Sequence, residues 1–231
     1  MKYFTAFLFL VFTAQHLAYG QSANEAKHIG RYVKIETNLG AMFFQLSELT
    51  PKHTANFIKL AKKGYFDRYD FNRIIKGFVA QGGETDSAYA AMEKQGKVLE
   101  RLDPEFNPVL FHQRGALAAV RDDNPSKASF LGQIYLADGK KYTDAQLDAY
   151  EKRGGFQFTA EARKLYKEVG GTPSLDQKYT VFGQLVKGWE VFDALMGVKI
   201  NKTDRPLTLI NMKVKVLTKK EVSALKLPRR F

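Results

Sequence analysis

Met212, Val214 and Val216 alternate with Asn211, Lys213 and Lys215, so Ile210 to Val216 reads as a strand with one buried face. Short apolar runs between turn residues predict more strands. Tyr32 to Glu36 and Ala41 to Leu46 flank a turn at Asn38-Leu39-Gly40. Phe71 to Gln81 is apolar and strand-like, and Gly82-Gly83 ends it. Gly115 to Val120, Ile134 to Leu136 and Thr180 to Gln184 are shorter. Residues 84–105 are polar and read as loop.

Helical signals are fewer. Thr50-Pro51 offers a hydroxyl N-cap and a proline at the first helical position, Ala55, Ile58 and Ala61 follow at helical spacing, and Gly64 suits the exit. Gly188 to Met196 reads as a short amphipathic helix holding the one tryptophan, Trp189. Residues 137–172 differ in texture. Thr143 and Gln146 form a capping box for a helix that stops at Gly154-Gly155. Thr159 starts a second helix, with Glu161 in its first turn, that stops at Gly170-Gly171. The pattern is a two-helix insertion in a strand-rich chain. Strands interrupted by few helices predict a closed antiparallel barrel with capping helices.

The first 20 residues carry one charge, Lys2, then an apolar run from Tyr3 to Phe12, then Ala18-Tyr19-Gly20. The run is short for a membrane span and suits a signal peptide cleaved before Gln21; the competing reading is an uncleaved anchor. Residues 21–30 read as a flexible polar segment, 31–217 as one domain with an insertion at about 137–172, and 218–231 as a basic, frayed tail.

The chain has 231 residues, a net charge of +12 and no cysteine. The length can bury a sizeable core. The lack of cysteine excludes disulfides, zinc fingers and thiol catalysis. Basic and acidic residues interleave, which favours a solvated surface over a nucleic-acid stripe. His28, His53 and His112 lack metal-ligand spacing. No nucleophile elbow, Walker loop or dinucleotide fingerprint is present. One segment stands out, Phe71-Asn72-Arg73-Ile74-Ile75-Lys76-Gly77-Phe78-Val79-Ala80-Gln81-Gly82-Gly83. As a single strand it sets Arg73, Ile75, Gly77, Val79 and Gln81 on one face. That arrangement suits hydrogen-bond donors beside an apolar pocket, or equally an arginine that closes a barrel end by a salt bridge.

This segment resembles the active-site strand of cyclophilin-type peptidyl-prolyl cis–trans isomerases, whose pattern is Phe-His-Arg-[Ile/Val]-Ile-x-Gly-Phe-x-x-Gln-Gly-Gly. The resemblance spans about residues 31–217. It includes Asn56-Phe57, Gly64-Tyr65-Phe66, Arg114-Gly115-Ala116-Leu117-Ala118, Gln133-Ile134-Tyr135, Thr172-Pro173-Ser174-Leu175-Asp176 and Tyr179-Thr180-Val181-Phe182-Gly183. The helical insertion and Asp204-Arg205-Pro206 resemble an exported bacterial subgroup.

The resemblance implies a mainly β fold: a closed eight-stranded antiparallel barrel capped by two helices, with the groove on its outer face. It implies that Arg73 is the catalytic arginine, that Phe78, Val79, Tyr135 and Leu175 wall a proline pocket, and that Gln81 and Gln133 position the substrate backbone. Val120 and Arg121 match the strand that pairs with the peptide, and Tyr179 a position often held by histidine. No metal or other cofactor is implied. The implied partners are proline-containing segments of unfolded or exported proteins, with no nucleic acid and no stable membrane anchor after cleavage, in the periplasm or secreted. Asn72, Val79, Phe130-Leu131-Gly132, Ser174 and Tyr179 depart from the family pattern. These departures leave a second reading, a cyclophilin-fold peptide-binding or scaffold protein with weak catalysis.

Overall fold

A computed structural model describes residues 31–231. The expected signal peptide and the polar segment at 21–30 lie outside the described residues.

The elements run β1 (Tyr32–Thr37), β2 (Gly40–Leu46), α1 (Pro51–Lys62), a 3₁₀ turn (Tyr65–Arg68), β3 (Phe71–Ile75), β4 (Val79–Gly83), α2 (Asp86–Lys94), β5 (Arg101–Leu102), β6 (Ala116–Ala119), β7 (Ser129–Phe130) and β8 (Gln133–Ala137). They continue as α3 (Asp144–Gly154), α4 (Ala160–Glu168), a 3₁₀ turn (Pro173–Leu175), β9 (Val181–Lys187), α5 (Trp189–Met196), β10 (Lys213–Val216) and α6 (Lys219–Ala224). Eight strands form one antiparallel sheet in the order β10-β1-β2-β9-β6-β8-β4-β3.

The sheet curls but stays open, which corrects the expected closed barrel. β3 and β10 end the strand order and no ladder joins them. Their edges meet at an isolated bridge between Asp70 and Asn211, where Phe71 N–H donates to Ile210 O at 2.9 Å. Residues 199–211 form no strand, only turns, bends, irregular backbone and isolated bridges, and carry Pro206, which has no N–H for a ladder. Six helices surround the sheet among the described residues, two more than the two caps and the two-helix insertion expected.

Inside the curl, Phe44, Phe57, Phe66, Ile74, Leu117 and Phe182 belong to one buried cluster. Burying each such side chain contributes about 1.5–3 kcal/mol. α1 turns Phe57, Leu60 and Ala61 inward, and the Phe57 ring lies 5.1 Å from Phe66 and 5.3 Å from Phe182. Thr50 does not cap α1 as expected: its buried Oγ1 has no partner. The first-turn amides of Lys52 and His53 instead donate to the Glu105 carboxylate, each at 3.0 Å. A carboxylate there also opposes the positive end of the helix dipole.

Two further expectations change. Residues 84–105 are not all loop, because Thr85 Oγ1 accepts from Ala88 N–H at 3.2 Å and starts α2. The tail is not frayed throughout, because Thr218 and Glu221 form a capping box that starts α6. Beyond α6, the backbone N–H groups of Arg230 and Phe231 both donate to Gln45 Oε1.

The helices read from Thr143 and Thr159 are present, both with side-chain caps. They do not stand free of the domain. Leu147 of α3 and Ala162 and Tyr166 of α4 form a buried cluster with Phe111.

Candidate functional site

The segment Phe71 to Gln81 is a hairpin, which corrects the single strand read from its composition. Lys76-Gly77-Phe78 connect β3 to β4, with Gly77 at φ 75°, in the left-handed region glycine favours. The pairing slips between Phe71 and Arg73. Asn72 is thus an extra residue, and Phe71 and Ile74 both enter the core although they are three apart. Asn72 is not part of the cavity wall and donates from Nδ2 to Gly83 O at 3.0 Å. Arg73 is turned to the outer face.

Arg73 pairs with Gln81, Gln81 with Tyr135, Tyr135 with Ala118, and Ala118 with Val181. Five adjacent strands thereby place these residues in one row across the outer face. Around the row lies a cavity of about 420 Å³. Arg73, Phe78, Val79, Gln81, Val120, Arg121, Tyr135, Leu175 and Tyr179 all line it. The structure brings together nine of the ten residues expected there. Among the described residues the Gln81 amide makes no side-chain hydrogen bond. Small side chains at Ala116 and Ala118 leave room for Tyr135 within the outer apolar cluster.

Gln133 is the exception. The residue is 1% exposed, is not part of the cavity wall, and donates from Nε2 to the wall residue Asp86 at Oδ1, 2.7 Å away. Val120 also departs from expectation as a peptide-pairing residue, since its N–H donates to Gln133 O and its C=O accepts from Phe130 N–H. The neighbouring Arg121 N–H and C=O take no partner among the described residues. Its guanidinium lies 4.8 Å over the Tyr179 ring and its Nε donates to Lys178 O at 2.8 Å.

Reading by sequence missed Asp86, Tyr89, Ala90 and Glu93 on α2, with Asp122 and Phe130, all in the cavity wall. The available signal was Thr85 as an N-cap, followed by Tyr89 and Met92 at helical spacing. The Tyr89 ring stacks on Phe130 at 3.9 Å, and its Oη accepts from Gly132 N–H at 3.1 Å. Burial holds the Tyr89 hydroxyl above its ordinary range, so it stays a neutral phenol. The unusual Phe130-Leu131-Gly132 turn is thus fixed by packing on α2.

The charges at the rim are ordered. Arg101 grips Asp122 through both terminal nitrogens at 2.7 and 2.8 Å and reaches Glu93 at 3.1 Å. Arg73 stands at the mouth, its side chain 42% exposed, with Nε 3.7 Å from Asp204 Oδ2. Asp138 ties down the hairpin tip: Oδ2 accepts from Gly77 N–H and Oδ1 from Arg114 Nε, each at 2.9 Å. Burial pushes the Tyr135 hydroxyl well above the ordinary phenol range. The result is an apolar, aromatic cleft with a mobile-length cationic donor at one edge and an unengaged amide beside it.

Comparison with known proteins gives the family and the fold. The family model for cyclophilin type peptidyl-prolyl cis-trans isomerases matches residues 32–216. A Staphylococcus saprophyticus protein named as a peptidyl-prolyl cis-trans isomerase is 32% identical over 187 residues, 80% of this chain and 88% of that protein. A Streptococcus pyogenes protein named as a bifunctional phosphatase/peptidyl-prolyl cis-trans isomerase is 37% identical over 182 residues, 78% of this chain but 37% of that longer one. In fold, the chain is similar to a cyclophilin type isomerase from Cryptosporidium parvum, with a TM-score of 0.59 and 24% identity over 82% of this chain and 98% of that one. The chain belongs to the cyclophilin-type peptidyl-prolyl cis–trans isomerases.

Proposed function

We propose that the outer cleft holds an X-Pro segment, and that Arg73 is the donor that lowers its rotation barrier. The observation that carries this is the row Arg73–Gln81–Tyr135 along one wall of an apolar cavity. Phe78, Val79, Tyr135 and Leu175 would grip the prolyl ring. Gln81 and the free backbone groups of Arg121 would hold the peptide on either side.

The chemistry follows from the bond itself. Resonance gives the C–N bond partial double-bond character and a barrier of about 18–20 kcal/mol. An unaided prolyl bond therefore isomerises in about 10–100 s. At the twisted midpoint that resonance is lost and the prolyl nitrogen regains a lone pair. A guanidinium aimed at that nitrogen, or at the turning carbonyl oxygen, binds the twisted state better than either planar one. Each ~1.4 kcal/mol of such selectivity is about tenfold in rate. No nucleophile or electron transfer enters the reaction.

The Tyr3–Phe12 run and Ala18-Tyr19-Gly20 support export through a cleaved signal peptide. The substrates would then be proline-containing segments of exported proteins, and the role assistance of their folding, in the periplasm or secreted. The domain would span 31–217, with α3 and α4 as an insertion that marks an exported bacterial subgroup. A protease-coupled assay on an Ala-Pro tetrapeptide tests the activity. Acceleration over the uncatalysed rate at micromolar protein is expected, and a rate equal to the blank would overturn it. N-terminal sequencing of the exported protein tests the cleavage before Gln21.

A further inference from the structure

A line of buried side chains runs from α4 to the cavity wall. Tyr166, fully buried on α4, donates from Oη to Asp176 Oδ2 at 2.5 Å. Asp176 Oδ1 meets His112 Nδ1 at 2.5 Å and also accepts the His112 backbone N–H at 2.9 Å. His112 Nε2 lies 2.7 Å from Tyr135 Oη. The His112 and Tyr135 rings are nearly coplanar in orientation, 5° apart, with centroids 5.8 Å apart.

The chemistry of the groups fixes the direction of each bond. A carboxylate only accepts, so Nδ1 of His112 carries the proton toward Asp176. In the neutral imidazole Nε2 is then an acceptor, and the Tyr135 hydroxyl donates to it. Burial, with the Asp176 charge adding to it, keeps the Tyr135 and Tyr166 hydroxyls protonated. With His112 neutral, every proton in the line points toward Asp176. The Tyr135 hydroxyl is held away from the cavity, and its ring is presented to it.

The same carboxylate serves a second wall. Asp176 ends the 3₁₀ turn that carries Leu175, another cavity residue. The Tyr135 ring also meets Tyr179 edge to face, with centroids 5.8 Å apart. Tyr135 thus has its angle set by both His112 and Tyr179.

We propose that Tyr166, Asp176 and His112 are positioning residues, through which α4 sets the angle of the Tyr135 ring and so the affinity of the cleft for a prolyl residue. This rests on the reading of the cleft as the proline site. It gives α3 and α4 a role in substrate binding without their touching substrate. It also explains why polar, ionisable groups are kept in a cluster that apolar residues could fill at lower desolvation cost.

A double-mutant cycle tests it. Tyr166→Phe, Tyr135→Phe and the pair are compared by Kd for a prolyl tetrapeptide from chemical-shift titration, by kcat/KM, and by Tm. Tyr166→Phe is expected to weaken peptide binding roughly three- to tenfold, as loss of one buried hydrogen bond would, with kcat changed less than KM. In the Tyr135→Phe background the same change is expected to have no further effect on Kd, because the relay then ends before the ring. Equal losses in both backgrounds, or a Tm loss with unchanged Kd, would overturn the inference. Should Tyr166→Phe fail to fold, His112→Gln in the same two backgrounds decides the question by the same criterion. A wild-type chain that binds and isomerises the peptide while the cycle is additive refutes the positioning role alone. A wild-type chain that does neither refutes the reading of the cleft, and the positioning role with it.

Discussion

Arg73 on β3 stands directly opposite Gln81 on β4, on the outer face of the sheet. The bulge at Asn72 places it there: without the extra residue, the strict two-residue period that buries Phe71 would bury Arg73 as well. The register therefore sets a charged donor and a neutral amide side by side at the cleft.

Gln81 can be removed at little structural cost, because its side chain makes no hydrogen bond among the described residues. Gln81→Leu is expected to leave the urea midpoint nearly unchanged and to lower kcat/KM roughly tenfold, the value of one hydrogen bond of about 1–1.5 kcal/mol. A large stability loss with unchanged kcat/KM would assign Gln81 to the scaffold.

Asp138 acts on the same hairpin from outside the cleft. It is buried and accepts from Gly77 N–H and Arg114 Nε. Asp138→Ala takes the carboxylate from the Gly77 N–H and leaves Arg114 with Asp193 alone, at a cost of about 1–3 kcal/mol. Urea denaturation should show that loss. kcat/KM should fall as well, since the tip carries Phe78.

Gly132 has no room for a side chain. A methyl group there would strike the Tyr65 ring and hydroxyl. Tyr65 cannot easily move, because its Oη donates to Glu84 Oε2 at 2.5 Å. Gly132→Ala is expected to cost about 1–3 kcal/mol by overpacking. A Tm equal to wild type would contradict this account of the Phe130-Leu131-Gly132 turn.

Acid should weaken the fold in two stages. Burial holds the His53 imidazole below its ordinary pKa, against an opposing hydrogen bond to Glu105. Burial raises the Glu105 carboxyl, but hydrogen bonds from the His53 backbone and ring, and from the Lys52 backbone, leave it below the ordinary range. A depressed folded pKa means that the unfolded chain takes up the proton first. The His53 contribution is therefore full above about pH 6.5 and fades below it, and that of Glu105 is full above about pH 4.3 and fades below it. Urea midpoints should drop between pH 7 and pH 5, and His53→Gln should flatten that drop.

Local signals carried the helices well. The Thr143–Gln146 capping box and the Thr159 cap are short-range chemistry, and both helices begin where they say. The Arg73–Gln81 segment announced its chemistry by residue type, yet not its shape, since a hairpin turn and a bulge at Asn72 differ from a continuous strand only in pairing. Sheet closure likewise depends on whether two distant edges pair, and no run of residues encodes that by itself. That Gln133 meets the cavity wall only through Asp86 was not legible, because Asp86 is 47 residues away, on a short helix that did not stand out. The Glu105 cap on α1 was hidden for the same reason: a local hydroxyl at Thr50 looked sufficient, and a distant carboxylate took its place.

Arg73 lines the cavity opposite Gln81, and removal of its guanidinium is the most direct test. In a protease-coupled assay on an Ala-Pro tetrapeptide, Arg73→Ala is expected to retain wild-type Tm and to lose about a hundredfold or more in kcat/KM, equivalent to about 2.7 kcal/mol of barrier. Arg73→Lys should recover only part of that loss, since an ammonium lacks the planar fork. An Arg73→Ala protein as fast as wild type would contradict the assignment of Arg73 as the group that stabilises the twisted prolyl bond.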